Sequence, residues 1–368
     1  VKRTHATVGA TLAGLLALTL AACGSDDPTG TGSTPASGSS QTSSSLSGTL
    51  NGGGSSAQEK AQQAWVAGFQ TANPDTTVNY STTDSGAGRK GLLDGSLDFA
   101  GTDSALTEEE LASATERCYG GAAIDLPVYI SPIAVAFNIE GVTELNLSAD
   151  VVAKIFAGTI TTWDDPAITE ANPDATLSGA ITVVHRSDDS GTSKNFQDYL
   201  SKAAPDVWSY EVSNTWPVSV GQGANGTSGV VQTIQSAPGT IGYADASAVG
   251  SLGKVSLGVG DDFVAPTADA AAKTVDVSPR DDSRAEGDIV IEVDRTTTEA
   301  GAYPAILVSY LAVCDTYDTQ EKADLVKAYA TYAAGDGQEQ AATAAGSAPI
   351  SDTLRTDVLA AIDAISTQ

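Results

Sequence analysis

Between residues 47 and 203 the chain repeats one order four times: a short β-branched or apolar run, a loop of Gly, Ser, Thr and Asp, then an apolar pattern at helical spacing. Strand and helix in alternation predict an α/β architecture. In "NGGGSSAQEKAQQAWVAGFQTANPD" a glycine-rich turn leads to a cap candidate at Ser55 or Ser56. Ala61, Ala64, Trp65, Phe69 and Ala72 then recur at helical spacing, and Asn73-Pro74 ends the helix. The second unit predicts a strand at 78–80, a loop at 82–85 and a helix opening near Gly86. The third predicts a strand at 97–100, a loop carrying Asp103, and a helix from about Thr107 with three acids in its first turn. In the fourth, "ITVVHRSDDSGTS", a strand over 181–184 enters a loop at 186–190 and a helix from Gly191.

In open α/β sheets the ligand crevice lies at the carboxyl ends of the strands, where helix N-termini converge. Such a terminus offers unpaired N–H groups and partial positive charge, which suit phosphate or sulfate. "GGGSSA", "DSGAG" and "DSGTS" have that form, with hydroxyls as further donors. Any one of them is ordinarily just a cap; three of them plus an arginine point to an anion site. Arg186 brings a planar fork that matches a tetrahedral oxyanion, and Asp188, two residues on, is placed to orient it. The plain alternative for Arg186 is a surface ion pair. Asp103 has two readings from spacing alone, a turn or cap residue or a carboxylate facing the ligand.

Several chemistries are excluded. His5 falls within residues 1–22, which read as an export signal, so His185 is the one histidine available as a base. Ser190 stands in no G-x-S-x-G elbow, and Ser-Gly-Thr reads better as donors than as a nucleophile. The chain has no G-x-x-x-x-G-K-[ST] loop and no metal-ligand spacing, so neither a cofactor nor a metal is expected. A formal charge of −28 argues against nucleic acid as a partner.

The first residues read as an export signal over 1–22: Lys2 and Arg3, then an apolar run from Val8 to Ala22 that is too short to span a bilayer. Leu20-Ala21-Ala22-Cys23-Gly24 resembles a bacterial lipobox, which makes Cys23 the expected lipidated residue and anchors the chain outside the cell membrane. Residues 24–46 are mostly Gly, Ser, Thr and Pro, a flexible tether with a reach of roughly 25 Å. Cys118 and Cys314 remain. In an exported chain a disulfide between them is the expected outcome, with two isolated buried thiols the alternative. After the tether, length and a hydrophobic content of 41% suffice for two lobes.

The motifs "GGGSSAQEKAQQAW", "VNYSTTDSGAGRKGLLDGSLDFAGTDSALT", "IFAGTITTWDDPAI", "HRSDDSGTS" and "SGVVQTIQSAPGTIGYAD" together resemble one family. It is that of the phosphate-binding lipoproteins of high-affinity phosphate ABC transporters, in an actinobacterial style. The resemblance runs from about residue 48 to the end, and Arg-x-Asp-x-Ser-Gly-Thr is its most specific part. It implies a two-lobed periplasmic-binding-protein fold (type II, Venus-flytrap) with the ligand cleft between lobes. One lobe would comprise 47–129 plus 303–368 and the other 130–302, with hinges near Pro127 and Pro304. It implies phosphate contacts from Ser56, the backbone N–H of Ala57, Ser85, Asp103, Arg186, Ser190, Gly191 and Thr192. It also implies a monomer that delivers inorganic phosphate to permease subunits driven by a separate cytoplasmic ATPase, and no enzymatic activity; the alternatives are a phosphate-responsive sensor or adhesin on the same fold, or a binder of another oxyanion. The sequence departs from the family pattern at Asp189, where family members often carry Gly; this extra acid is expected to point to solvent. "TTWDDPAI" offers no derivable chemistry and reads as a structural corner or a docking surface.

Overall fold

In the computed structural model, which describes residues 46–368, the strand, loop and helix units join in one eleven-stranded sheet, with a separate two-stranded ladder. Cys23, the export signal and nearly all of the tether lie outside the described residues. The strands are β1 (Gly48–Gly54), β2 (Thr76–Thr82), β3 (Phe99–Thr102), β4 (Ala123–Asn138), β5 (Glu144–Leu147), β6 (Thr182–Arg186), β7 (Gln222–Ala224), β8 (Thr240–Asp245), β9 (Gly253–Val259), β10 (Asp262–Val264), β11 (Ile306–Cys314), β12 (Thr316–Tyr317) and β13 (Ser366–Thr367). The helices are α1 (Glu59–Ala72), α2 (Ser85–Leu93), α3 (Glu108–Arg117), α4 (Ala149–Phe156), α5 (Pro166–Thr169), α6 (Gly191–Ala203), α7 (Gly226–Ser236), α8 (Ala268–Asp276), α9 (Gln320–Ala334), α10 (Gln338–Ala345) and α11 (Asp352–Asp363). None of these helices is long and apolar enough to cross a membrane.

Strand order along the main path is β2-β1-β3-β11-β4-β8-β6-β7. Parallel pairs sit at both ends: β1 with β2 and β3 at one, β6 with β7 and β8 at the other. The centre is antiparallel and turns on β4. From Ala123 to Pro132 this strand pairs with β11, and from Ile133 to Asn138 it pairs with β8. The sheet thus has a β1 side and a β6 side, the two lobes of the fold, that share one strand. The register slips between Ser309 and Tyr310, whose partners are Tyr129 and Pro127, leaving Val128 as an extra residue. That bulge lets a proline, which has no N–H to give, sit inside a central strand. The Val128 carbonyl is taken up by Gln338 Nε2 at 2.8 Å.

Both sides bury an apolar face. Trp65, Phe69, Phe99 and Tyr329 pack beneath β1 and β3, with α9 and α10 closing over them. Phe156, Phe196, Trp216 and Tyr243 cluster against β6 and β8. Cys118 and Cys314 form the expected disulfide at the Ala123 end of the β4–β11 pair. In "TTWDDPAI", Trp163 is fully buried with its Nε1–H on Gly239 O at 3.2 Å, and Asp165 caps α5 through Ala167 N–H. Trp163 and Asp165 thus give the segment a structural role, while Thr161, Thr162, Asp164 and Pro166 face outward.

Most element types match the sequence reading, and α3 begins as expected, with a full capping box at Thr107 and Glu110. Three details differ. α1 starts at Glu59 after Gln58, with no side-chain cap, because the Ser55 and Ser56 hydroxyls turn away from the helix toward Asp103 and Thr227. Ala72, expected on the apolar face, is exposed. β3 lies at Phe99–Thr102, two residues later than expected, so that Asp103 follows it directly.

Candidate functional site

Four helix N-termini meet where the β1 side faces the β6 side. α1 is preceded by Ser55 and Ser56, α2 opens at Ser85, α6 opens at Gly191 after its cap Ser190, and α7 opens at Gly226. Each start follows a parallel strand of the sheet, so the amides of all four first turns point to one region. Ser56, Ala57, Ser85, Asp103, Arg186, Ser190, Gly191 and Thr192 all converge here, and every one is buried.

Asp103 is the hub. Its Oδ1 accepts from Ser55 Oγ and Ser309 Oγ, both at 2.6 Å, and its Oδ2 accepts from Thr192 Oγ1 at 3.1 Å. Its backbone N–H donates to Ser85 Oγ at 3.1 Å, and its carbonyl accepts from Asn195 Nδ2 at 2.5 Å. It sits in the bend after β3 but does not cap α3, which Thr107 caps. A Cβ on Gly191 would stand 2.8 Å from both Asp103 Cβ and Ser85 Oγ, so this glycine is what lets the α6 amides come this close.

Arg186 is positioned as its spacing implied. Its Nε donates to Asp188 Oδ1 at 2.7 Å and its Nη2 to Asp188 Oδ2, and both side chains are almost fully shielded from solvent. This is not a surface ion pair. No partner for Nη1 is found among the described residues. Burial by itself would raise the Asp188 carboxyl, but the hydrogen bond and charge of Arg186, with the Gly226 N–H at 3.2 Å, hold it below its ordinary value. The backbone N–H of Arg186 donates to the Tyr243 phenol oxygen Oη at 3.2 Å, which pairs with Ser193 Oγ at 2.6 Å and so joins β6 to the first turn of α6.

The serine hydroxyls share a polarity. Ser85 Oγ accepts from Asp103 N–H and Ser190 Oγ accepts from Ser193 N–H at 3.1 Å. Each hydroxyl keeps its own proton to donate. Ala57 N–H differs from its expected role in one respect, since it donates to Ser55 Oγ at 3.1 Å. Asp189 is exposed: Asn214 Nδ2 donates to its Oδ1 at 2.6 Å, and its backbone carbonyl takes the Gly86 N–H at 3.3 Å. His185 stacks on Trp216 with ring centroids 5.5 Å apart, a packing role.

The sequence reading missed four contributors. Ser309 lies inside an apolar strand, where nothing local marks it. Arg295 reaches Asn195 Oδ1 at 2.5 Å and Asp198 Oδ2 at 2.9 Å, so it braces the α6 residue that holds Asp103. Asn195 itself sits one turn into α6. Thr227, in "NGTSG", follows the three-residue strand β7, too short to be read as a strand. Cavities of about 340 and 480 Å³ flank the site, the first lined by Asp103, Lys194 and Tyr310, the second by Ser56, Lys60 and Thr227. A larger one, about 1130 Å³, lies away from it among α1, α9 and α11 and has no converging amides.

A family model described as a PBP superfamily domain matches residues 39–336. Phosphate-binding protein PstS 3 of Mycobacterium tuberculosis is 37% identical, over 99% of each chain. Phosphate-binding protein PstS of Methanocaldococcus jannaschii is 30% identical over 75% of this chain and 76% of its own. Among solved structures, a high affinity periplasmic phosphate-binding protein (PfluDING) bound with phosphate aligns with a TM-score of 0.72 at 21% identity, covering 85% of this chain and 93% of that one.

Proposed function

Because this chain belongs to the PBP superfamily and, within it, with the phosphate-binding PstS proteins, we propose that it captures inorganic phosphate between its lobes and delivers it to an ABC permease driven by a separate ATPase. One observation carries the reading. Four helix N-termini, an oriented arginine and a single acceptor carboxylate converge on one buried point.

In this reading the Ser56, Ser85 and Ser190 hydroxyls, the amides of Gly191 and Thr192, and Arg186 Nη1 donate to the phosphate oxygens, and the Ala57 N–H joins them by exchanging Ser55 Oγ for the ligand. Asp103 accepts a proton that phosphate still carries at neutral pH. Local dipoles at the helix ends overcome the repulsion of a chain whose formal charge is −28. Asp188 contributes by holding the guanidinium plane, and its carboxylate also fixes the start of α7 through Gly226.

We place the lobes at 47–129 plus 303–368 and at 130–302, with Cys23 as the lipid anchor outside the cell membrane. The change of β4 partner at Pro132 and Ile133, and the packing of α9 and α10 on the β1 side, support that division. Phosphate, which touches both lobes in this arrangement, stabilises the closed form by its differential affinity. Calorimetric titration of the purified protein tests the function. Phosphate should saturate a single site, arsenate should compete and sulfate should not; no saturable phosphate binding would overturn the reading. Radiolabelled palmitate incorporated by the parent and lost in Cys23→Ser tests the anchor.

A further inference from the structure

Thr227 makes two hydrogen bonds to one oxygen. Its backbone N–H donates to Ser56 Oγ at 3.1 Å, and its Oγ1 lies 3.0 Å from the same atom, with both residues buried. A serine hydroxyl has one proton and two lone pairs. The Thr227 amide occupies one lone pair. If the Thr227 hydroxyl donates to the other, the Ser56 proton has nowhere to go but away from Thr227, toward the ring of anion donors. Were the bond reversed, Ser56 would present a lone pair to an anion and repel it.

The geometry around Thr227 is built to hold this arrangement. Gly226 has a φ of +68°, a left-handed conformation that glycine adopts without strain. Its N–H donates to Asp188 Oδ1, the oxygen that also receives Arg186 Nε. One helix end therefore touches the arginine's partner on its own side of the sheet and the serine of the opposite side. Ser56 precedes α1 beside β1, whereas Thr227 opens α7 after β7.

We propose that Thr227 is a positioning residue for phosphate capture: reaching across the cleft, it fixes the proton direction of Ser56, so that Ser56 is a competent donor only when the lobes are closed. The inference rests on the assignment of Ser56 as a phosphate ligand, and the two are separable by experiment.

Phosphate affinity by calorimetry and phosphate release by stopped flow are measured for the parent, Ser56→Ala, Thr227→Val, Thr227→Ser and the double variant Ser56→Ala/Thr227→Val. Losing one hydroxyl donor should weaken phosphate binding about tenfold, through faster release with association unchanged. Thr227→Ser should restore parental behaviour, and Thr227→Val should add less than about twofold once Ser56 is alanine. The phosphate-to-sulfate ratio should stay parental in every variant, since Asp103 is untouched. Thr227→Ala carries the same expectation should the valine variant fail to fold. Parental affinity in Thr227→Val and Thr227→Ala, or an equal tenfold loss in the Ser56→Ala background, overturns the proposal. Parental affinity in Ser56→Ala overturns the assignment of Ser56 itself, and with it the inference.

Discussion

Thr192 Oγ1 stands 3.1 Å from Asp103 Oδ2, a hydroxyl of α6 donating to the carboxylate that follows β3. Donors surround Asp103, so a fully ionised oxyanion placed among them meets its charge directly. At ~3 Å and an effective dielectric near 20 the repulsion is on the order of 5 kcal/mol, or more than about three decades of affinity. Asp103→Asn should therefore lose phosphate-over-sulfate discrimination more than it loses phosphate binding. Calorimetry with both anions reads this directly, and an unchanged affinity ratio would count against it.

Asp188 uses both carboxylate oxygens on Arg186 and shares one with Gly226 N–H. Asp188→Asn keeps the shape but removes the charge and turns one acceptor into a donor facing the guanidinium. Phosphate affinity should fall at least about tenfold, the scale of a lost charge-assisted hydrogen bond. Sulfate discrimination should hold, because Asp103 remains. Parental phosphate affinity in this variant would show that the fork needs no orienting partner.

The Cys118–Cys314 disulfide closes a sequence separation of 196 residues and ties the C-terminal end of α3 to the end of β11. Both cysteines lie on the β1 side of the sheet, away from the strand junction at Ile133. Replacing both with alanine should cost about 2–5 kcal/mol of stability. Phosphate affinity of the folded variant should stay within about threefold of the parent. Thermal unfolding and titration of the same sample separate the two effects; a large affinity loss would mean that the bond restrains lobe movement.

Two buried carboxyls predict the pH dependence of stability. Burial, then the charge of Asp288, push Asp125 up to about 7 against the pull of the Leu106 N–H and Arg284. Burial pushes Asp245 up to about 6. From about pH 4 to 7 the folded protein keeps protons that the unfolded chain has released, so stability falls as pH rises through that window and levels off above it. Asp188, whose carboxyl is lowered, acts in the opposite direction, losing its contribution as pH falls below about 4. The melting temperature should thus be higher at pH 5 than at pH 8, and Asp125→Asn should reduce that difference. Equal melting temperatures in the parent at the two pH values would contradict the assignment.

Much of this site is written locally. The strand β6, the cap Ser190 and the first turn of α6 occupy consecutive residues, so one stretch states its strand, its turn and its donors, and Asp188 falls within reach of Arg186 by spacing alone. What could not be read are contacts made at long range. Ser309 meets Asp103 across 206 residues, and Thr227 meets Ser56 across 171. Neither has a local pattern to reveal it. The start of α1 was misplaced for the same reason: Ser55 and Ser56 have capping chemistry, but distant partners claim it. β4 was illegible as a single strand, since Pro127 and Pro132 interrupt its apolar run and only the bulge opposite β11 accommodates the first of them.

The sharing of β4 has a consequence for how such a chain can change. Side chains alternate faces along a strand, and beyond the bulge at Val128 β4 carries that alternation from Tyr129 to Asn138, across the change of partner at Ile133. Both faces of β4 are buried, so inserting or deleting one residue near Pro132 would exchange the two faces of the later half, each packed against its own neighbours, and would shift its register on β8. Neither lobe is therefore an exchangeable module. Their phase is set in a single backbone, and any descendant that lengthens or shortens this strand must do so by two residues, take up the odd residue in a bulge as at Val128, or rebuild a core.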